Sequence, residues 1–263
     1  MLSWGQLSMR YEALSFQLEN QVMAINLPAI ADYHTNITQL TDELSDVCSA
    51  VASEKEVRAV IINWKQDEFP AGTDLAGFGS VSGEYETAPV SLAAAVVKLD
   101  IPVIASINGY AIGQALELLL ACDIRIASGT SYFALPHIQT GMIPWDGGTQ
   151  RLSRLVGRGK AIELILTAEM INAREAHRIG LVNRIVEAEE LLSTVTEMAH
   201  AVATKGPIAL RYAKEAVLQG LNMTLEQGLR LEADLYFLLH TTKDRTEGIK
   251  AFQKKRKAKY KGK

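Results

Sequence analysis

Short apolar runs rich in β-branched residues alternate with segments of helical period, and this alternation most limits the fold. Two strand-like runs, Tyr11–Leu18 and Val22–Leu27, are split by the turn-prone Glu19-Asn20. A helix is expected from about Thr38 to Ser53, then a strand, Val57–Trp64. Lys65–Gly79 reads as a loop, with Pro70 and three glycines. Val90–Lys98 reads as a helix, and Pro102 opens the short strand Val103–Ile107. A turn is expected at Asn108-Gly109, then an apolar helix from about Gly113 to Ala121 and a strand, Asp123–Ala127. Strand, helix, strand, helix favours an α/β layered architecture. Pro144 and Gly147-Gly148 punctuate the middle before a helical run through Arg154. After a strand at Val182–Val186 the chain reads as helical. Asn172-x-x-Glu175 and Thr224-x-x-Gln227 have the form of capping boxes. The expected division is an α/β body over residues 1–190 and a helical region over 191–263.

Charge and cysteine usage narrow the class. The net charge is −3, but Lys254–Lys263 carries seven positive charges and no negative ones. Removing those seven leaves −10 on the rest, which argues against general nucleic-acid binding. Apolar runs such as Leu116–Cys122, broken by Glu117, are too short to cross a bilayer, so no membrane span is expected. Met1–Arg10 lacks the apolar stretch of a secretory leader. Cys48 and Cys122 fit no metal or redox spacing and read as buried small residues in a reducing cytoplasm.

Glu117 is the first candidate for chemistry. It lies in Gly113-Gln-Ala-Leu-Glu-Leu-Leu-Leu-Ala-Cys122, with no basic residue in the helix to pair with it. Burying an unpaired carboxylate is costly, so the group is expected to be largely protonated or strongly hydrogen-bonded. Such a carboxyl suits general acid/base work. The alternative is a structural carboxylate that accepts backbone N–H groups or meets a distant arginine.

Two loops follow strands and precede helices: Phe69-Pro-Ala-Gly-Thr-Asp74 and Asn108-Gly-Tyr-Ala-Ile-Gly113. Small residues at such junctions let backbone N–H groups approach a ligand, and two aimed at one point make an oxyanion hole. Each is otherwise only a tight connection. Further on, Leu135–Arg151 brings His137 and Asp146, either of which could move protons. The plainer roles are a hydrogen-bonded structural histidine and, for Asp146, an N-cap of the following helix. His34, His177, His200 and His240 show no metal-ligand spacing, so no metal site is expected. No dinucleotide fingerprint, P-loop or nucleophile elbow is present.

Taken in order, these segments resemble the crotonase (enoyl-CoA hydratase/isomerase) superfamily. The resemblance rests on Ile101–Gly113, Glu117, Gly141-Met-Ile-Pro144, Gly147-Gly-Thr-Gln-Arg-Leu152, Leu166-Thr-Ala, Ala173–Asn183 and Arg245-x-Glu-Gly-x-x-Ala-Phe252. It runs from about Ala13 to Lys263 and is weakest around Pro28–Thr35. It implies a spiral of ββα turns, a C-terminal helical trimerisation region and a homotrimer or dimer of trimers. It also implies an acyl-CoA thioester substrate, with no separate cofactor and a cytoplasmic location. By position, the backbone N–H groups of Thr73 and Gln114 would hold the thioester oxygen, Gln114 standing where a glycine is usual. Ala71, Asp74, Phe252 and Lys255 would contact CoA.

One departure matters most. The family's hydratases carry a second catalytic glutamate where this chain has His137. Its task could fall to His137, to Asp146 or to no residue. Trp145 replaces a small residue beside Asp146 and is expected to reshape the acyl pocket. Three readings are therefore open. The first is a lyase that hydrates an α,β-unsaturated acyl-CoA, a dienoyl or alicyclic one included. The second is a double-bond isomerase, and the third a non-catalytic acyl-CoA binder.

Overall fold

The computed structural model describes residues 11–28, 37–66 and 91–263. The loop Phe69–Asp74, with Ala71, Thr73 and Asp74, lies outside them, as does His34. The described strands are β1 (Ser15–Glu19), β2 (Val22–Asn26), β3 (Ala59–Gln66), β4 (Val103–Ile112), β5 (Ile124–Ser128), β6 (Tyr132–Ala134), β7 (Ile171–Asn172) and β8 (Arg184–Val186). The helices of the body are α1 (Ile37–Ser53), α2 (Ala93–Val97), α3 (Gln114–Leu119), α4 (Gly148–Val156), α5 (Arg158–Thr167) and α6 (Ala173–Arg178). Four more close the chain: α7 (Ala188–Ala203), α8 (Pro207–Gly220), α9 (Leu225–Leu239) and α10 (Lys243–Gln253).

The strand order is β1-β2-β3-β4-β5-β8, with β6 against β4 and β7 against β6. The pairs β1–β2 and β6–β7 are antiparallel and the others parallel. Parallel neighbours require crossovers, and the sheet is accordingly covered on both faces. Alternation along the strands sorts the side chains. Val60, Ile62, Val103, Ala105 and Ile107 join the main core with Leu40, Leu44 and Leu116. Ala59, Ile61, Ile104 and Ile126 face the other way and pack on Leu191, Val195, Ala199 and Ala203 of α7. A one-residue slip of β3 would exchange the two sets, so burial fixes the register.

The turn expected at Asn108-Gly109 is absent. β4 runs through both residues, with Gly109 at φ +86, a conformation that glycine adopts without a Cβ penalty. The strand changes partner instead of reversing. Ile104–Ile107 pairs with β5, and Tyr110–Ile112 pairs with β6. The Trp64 indole N–H donates to the Tyr110 carbonyl at 2.7 Å and ties the far half of β4 to β3. Extending β4 to Ile112 delivers Gly113 and α3 to the middle of the molecule.

Two side chains, Arg125 and Lys214, tie down the segment that follows α3. The Arg125 guanidinium donates to the Cys122 carbonyl at 2.5 Å and to the Leu181 carbonyl at 2.8 Å. Lys214 on α8 donates to Asp123 at 2.7 Å and to the Ile101 carbonyl at 2.8 Å. The helix-start readings hold at both positions. Thr224 and Gln227 form a reciprocal capping box, and Asn172 accepts from the Glu175 N–H. The basic tail does not continue as a helix. Residues 254–263 fold back, with the Lys261 and Gly262 N–H groups on Asp244 and the Lys259 N–H on Glu247.

Cys48 and Cys122 are free and buried, and burial pushes both thiols up to about 12. The thiolate is the reactive form, so both should be inert in the folded chain at pH 8. Titration with a disulfide reagent should find no fast-reacting thiol under native conditions and two after denaturation. Rapid native labelling would contradict this packing.

Candidate active site

The site grows from the β4–α3 junction. Gly113 sits at φ +61, ψ −130, a left-handed backbone that favours glycine. Its N–H donates to the Ala134 carbonyl at 2.9 Å, which fixes the junction against β6. α3 then begins at Gln114, and Glu117 falls in its first turn, where a negative charge suits the helix dipole.

Glu117 is 0% exposed. Its Oε1 accepts the Asp146 N–H at 2.9 Å and the Gly148 N–H at 2.7 Å. The carboxyl is therefore strongly hydrogen-bonded through backbone groups, one of the bonding patterns expected of it. Among the described residues no arginine or lysine pairs with it. Its other oxygen, Oε2, makes no hydrogen bond and lies 3.4 Å from His137 Nε2. One oxygen is held and one is left for a ligand, which a purely structural carboxylate does not need.

His137 lies on a 3-10 turn, Pro136–Thr140, and is buried. Its Nδ1 has no hydrogen-bond partner. The ring sits against the β4–α3 junction, since a Cβ built on Gly113 would lie 4.0 Å from His137 Cε1.

Asp146 is buried and fully engaged. Its Oδ1 accepts the Ser91 hydroxyl at 2.5 Å. Its Oδ2 accepts the Ala93 N–H at 3.1 Å and the Gln114 side-chain amide at 3.2 Å. The N-cap expected on the next helix is not formed. Gly147 takes that position on α4, and the Asp146 carboxylate caps the start of α2 instead. The reason is direction: Asp146 turns its N–H toward Glu117 and its carboxylate toward α2. Sequence reasoning missed Ser91, which a serine before a short helix could have signalled as a cap. Ser91 Oγ also accepts the Ala94 N–H at 3.0 Å.

The structure thus brings Glu117, His137, Asp146 and Gln114 together. Trp145 is half-buried next to Asp146. Phe252 is 86% exposed, and Lys255 is exposed with φ +49, well away in sequence from this cluster. No group of three or more His, Cys, Asp and Glu that could hold a metal is present among the described residues. Among them, too, no helix is long and apolar enough to cross a membrane.

Comparison with known proteins decides the family. Residues 18–263 match the family model described as enoyl-CoA hydratase/isomerase. The chain belongs to the enoyl-CoA hydratase/isomerase family, within the crotonase superfamily. It is 38% identical over 259 residues to crotonyl-CoA hydratase of Syntrophomonas wolfei, covering 96% of this chain and 99% of that one. It is 36% identical over 241 residues to short-chain-enoyl-CoA hydratase of Clostridium acetobutylicum, covering 90% and 92%. The crystal structure of an enoyl-CoA hydratase from Bacillus anthracis superposes with a TM-score of 0.83 at 34% identity, over 96% of this chain and all of that one. The crotonase-like fold expected from the sequence is the one observed.

Gly148 leaves no room for a side chain. A Cβ there would lie 2.8 Å from Glu117 Oε1 and 2.8 Å from Pro144 Cβ. Gly148→Ala should push the carboxylate off its two donors and cost about 1–3 kcal/mol, the usual penalty for overpacking. Chemical denaturation measures it, and wild-type stability would show that the loop has room to yield.

Proposed function

We propose that the protein adds water to an α,β-unsaturated acyl-CoA thioester, with Glu117 as the residue that activates the water. The observation that carries this reading is the divided Glu117 carboxylate. Oε1 is locked on two backbone N–H groups, while Oε2 makes no hydrogen bond. A carboxylate so oriented can accept a proton from water as the oxygen bonds Cβ. The electron pair then moves to the thioester oxygen as an enolate. The backbone N–H of Gln114 is proposed as one donor to that oxygen and the N–H of Thr73, outside the described residues, as the other. Both should be worth more in the transition state than to the ground-state carbonyl. The activities named for the relatives, crotonyl-CoA and short-chain enoyl-CoA hydration, support the same class of substrate.

The remaining roles follow from position. Trp145 would narrow the acyl pocket beside Asp146. Ala71, Asp74, Phe252 and Lys255 would meet the CoA moiety, and the exposure of the last two suits contact across a subunit boundary. α8 has no buried residue, and Leu225, Leu229 and Phe237 on α9 are exposed. A homotrimer or a dimer of trimers would cover such apolar side chains. A cytoplasmic location suits the free thiols Cys48 and Cys122.

Two measurements test this reading. Crotonyl-CoA and a panel of longer and dienoyl thioesters should lose their conjugated absorbance on hydration. Glu117→Gln should lower kcat by about 10²–10⁴-fold, the usual share of a general acid/base. Full activity in that variant would remove Glu117 from the chemistry. Sedimentation should find three or six copies, and Leu229→Asp with Phe237→Asp should shift the mass toward the monomer. An unshifted assembly would move the interface elsewhere.

A further inference from the structure

Hydration moves two protons: one leaves the water, and one arrives at the α-carbon. Glu117 accounts for the first. The second needs a group near Glu117 whose polar atoms are not already committed. Among the described residues, two titratable side chains are close enough to consider, His137 and Asp146, and their environments differ. Asp146 accepts three hydrogen bonds, from Ser91, Ala93 and Gln114, with both oxygens occupied. His137 has Nε2 3.4 Å from Glu117 Oε2 without a hydrogen bond, and no partner on Nδ1. Glu117 Oε2 and His137 Nδ1 are buried without a hydrogen-bond partner, which is costly in a folded chain, and a site that binds a reacting group is a reason to keep them.

We infer that His137 is the second catalytic residue, the one that exchanges a proton with the substrate α-carbon, and that Asp146 is a positioning residue. This rests on the hydratase reading of the same site. The cycle balances with one shared proton. It starts with Glu117 as carboxylate and His137 as imidazolium. Water bonds Cβ and gives its proton to Glu117, while the double-bond pair moves to the thioester oxygen. The enolate pair returns and takes the Nε2 proton at Cα. Glu117 is now protonated and His137 neutral, and the proton on Oε2 passes back to Nε2 across the 3.4 Å gap. Only water is consumed. The titratable group facing the imidazole among the described residues is Glu117 itself. Asp146 acts through others. Its N–H orients Glu117, and its carboxylate joins the start of α2 to Gln114.

The test is exchange of the α-protons of butyryl-CoA in D₂O, followed by ¹H NMR. A saturated thioester cannot be hydrated, so the assay reads proton transfer at Cα alone. Wild type should exchange. His137→Gln should slow exchange by about 10²-fold or more, and His137→Glu, which puts another proton carrier there, should restore at least a tenth of it. Asp146→Asn keeps an acceptor for Ala93 and Gln114 and a donor for the Ser91 hydroxyl. It should therefore exchange within about tenfold of wild type, a range of ~1.4 kcal/mol in barrier, whereas Asp146→Ala should fall much further. Circular dichroism confirms folding, and His137→Glu decides if His137→Gln does not fold. Wild-type exchange in His137→Gln, no exchange in folded His137→Glu, or no exchange in the wild type overturns the role of His137. Loss in Asp146→Asn as complete as in Asp146→Ala overturns the role of Asp146. A wild type that exchanges but hydrates nothing overturns the hydratase reading, and the variants then still decide whether His137 exchanges the proton at Cα.

Discussion

Two backbone N–H groups, from Asp146 and Gly148, hold one oxygen of the fully buried Glu117 carboxylate. The rest of the site depends on that contact. A buried, unpaired Glu117 would otherwise be a large destabilising charge in an apolar helix. Charge-assisted bonds from two peptide groups offset the burial, at roughly 1.5–3 kcal/mol each, and do so without consuming the second oxygen. A lysine or arginine bonded to both oxygens would have occupied the second one.

The contact makes demands on distant parts of the fold. The donors lie at the start of α4 and the acceptor on α3, so both must be placed independently. β4 does the first part by running past Asn108-Gly109 and delivering α3 beneath β6. Arg125 and Lys214 tie down the segment after α3 through Cys122 and Asp123. The Asp146 carboxylate does the second part by fastening its loop to α2 and to Gln114. One residue therefore serves two helices, its main chain toward Glu117 on α3 and its side chain toward the start of α2. Gly148 has to be small because the carboxylate occupies the volume a Cβ would take.

Much of this was legible in the sequence because it follows from local chemistry. Strand and helix periods gave the layered α/β body, and the Thr224 and Asn172 caps stand where their spacing placed them. The unpaired Glu117 was visible as an anomaly. Two readings missed because tertiary contacts override local preference. Asn108-Gly109 is a turn signal in isolation, but pairing with β3 keeps it in a strand. Asp146 is a good cap for the helix after it, yet its side chain meets a helix 53 residues earlier in the chain. The short strands β6 and β7 are too brief to show a period. The contact between His137 and Glu117 spans two elements and has no local signature at all.

The most direct test of the divided Glu117 carboxylate is a crystal structure with a bound 3-hydroxyacyl-CoA. The β-hydroxyl should lie within hydrogen-bond distance, ~2.5–3.0 Å, of Glu117 Oε2, with Oε1 still on the Asp146 and Gly148 N–H groups. A hydroxyl held by other residues, with Glu117 Oε2 remote from the ligand, would contradict it.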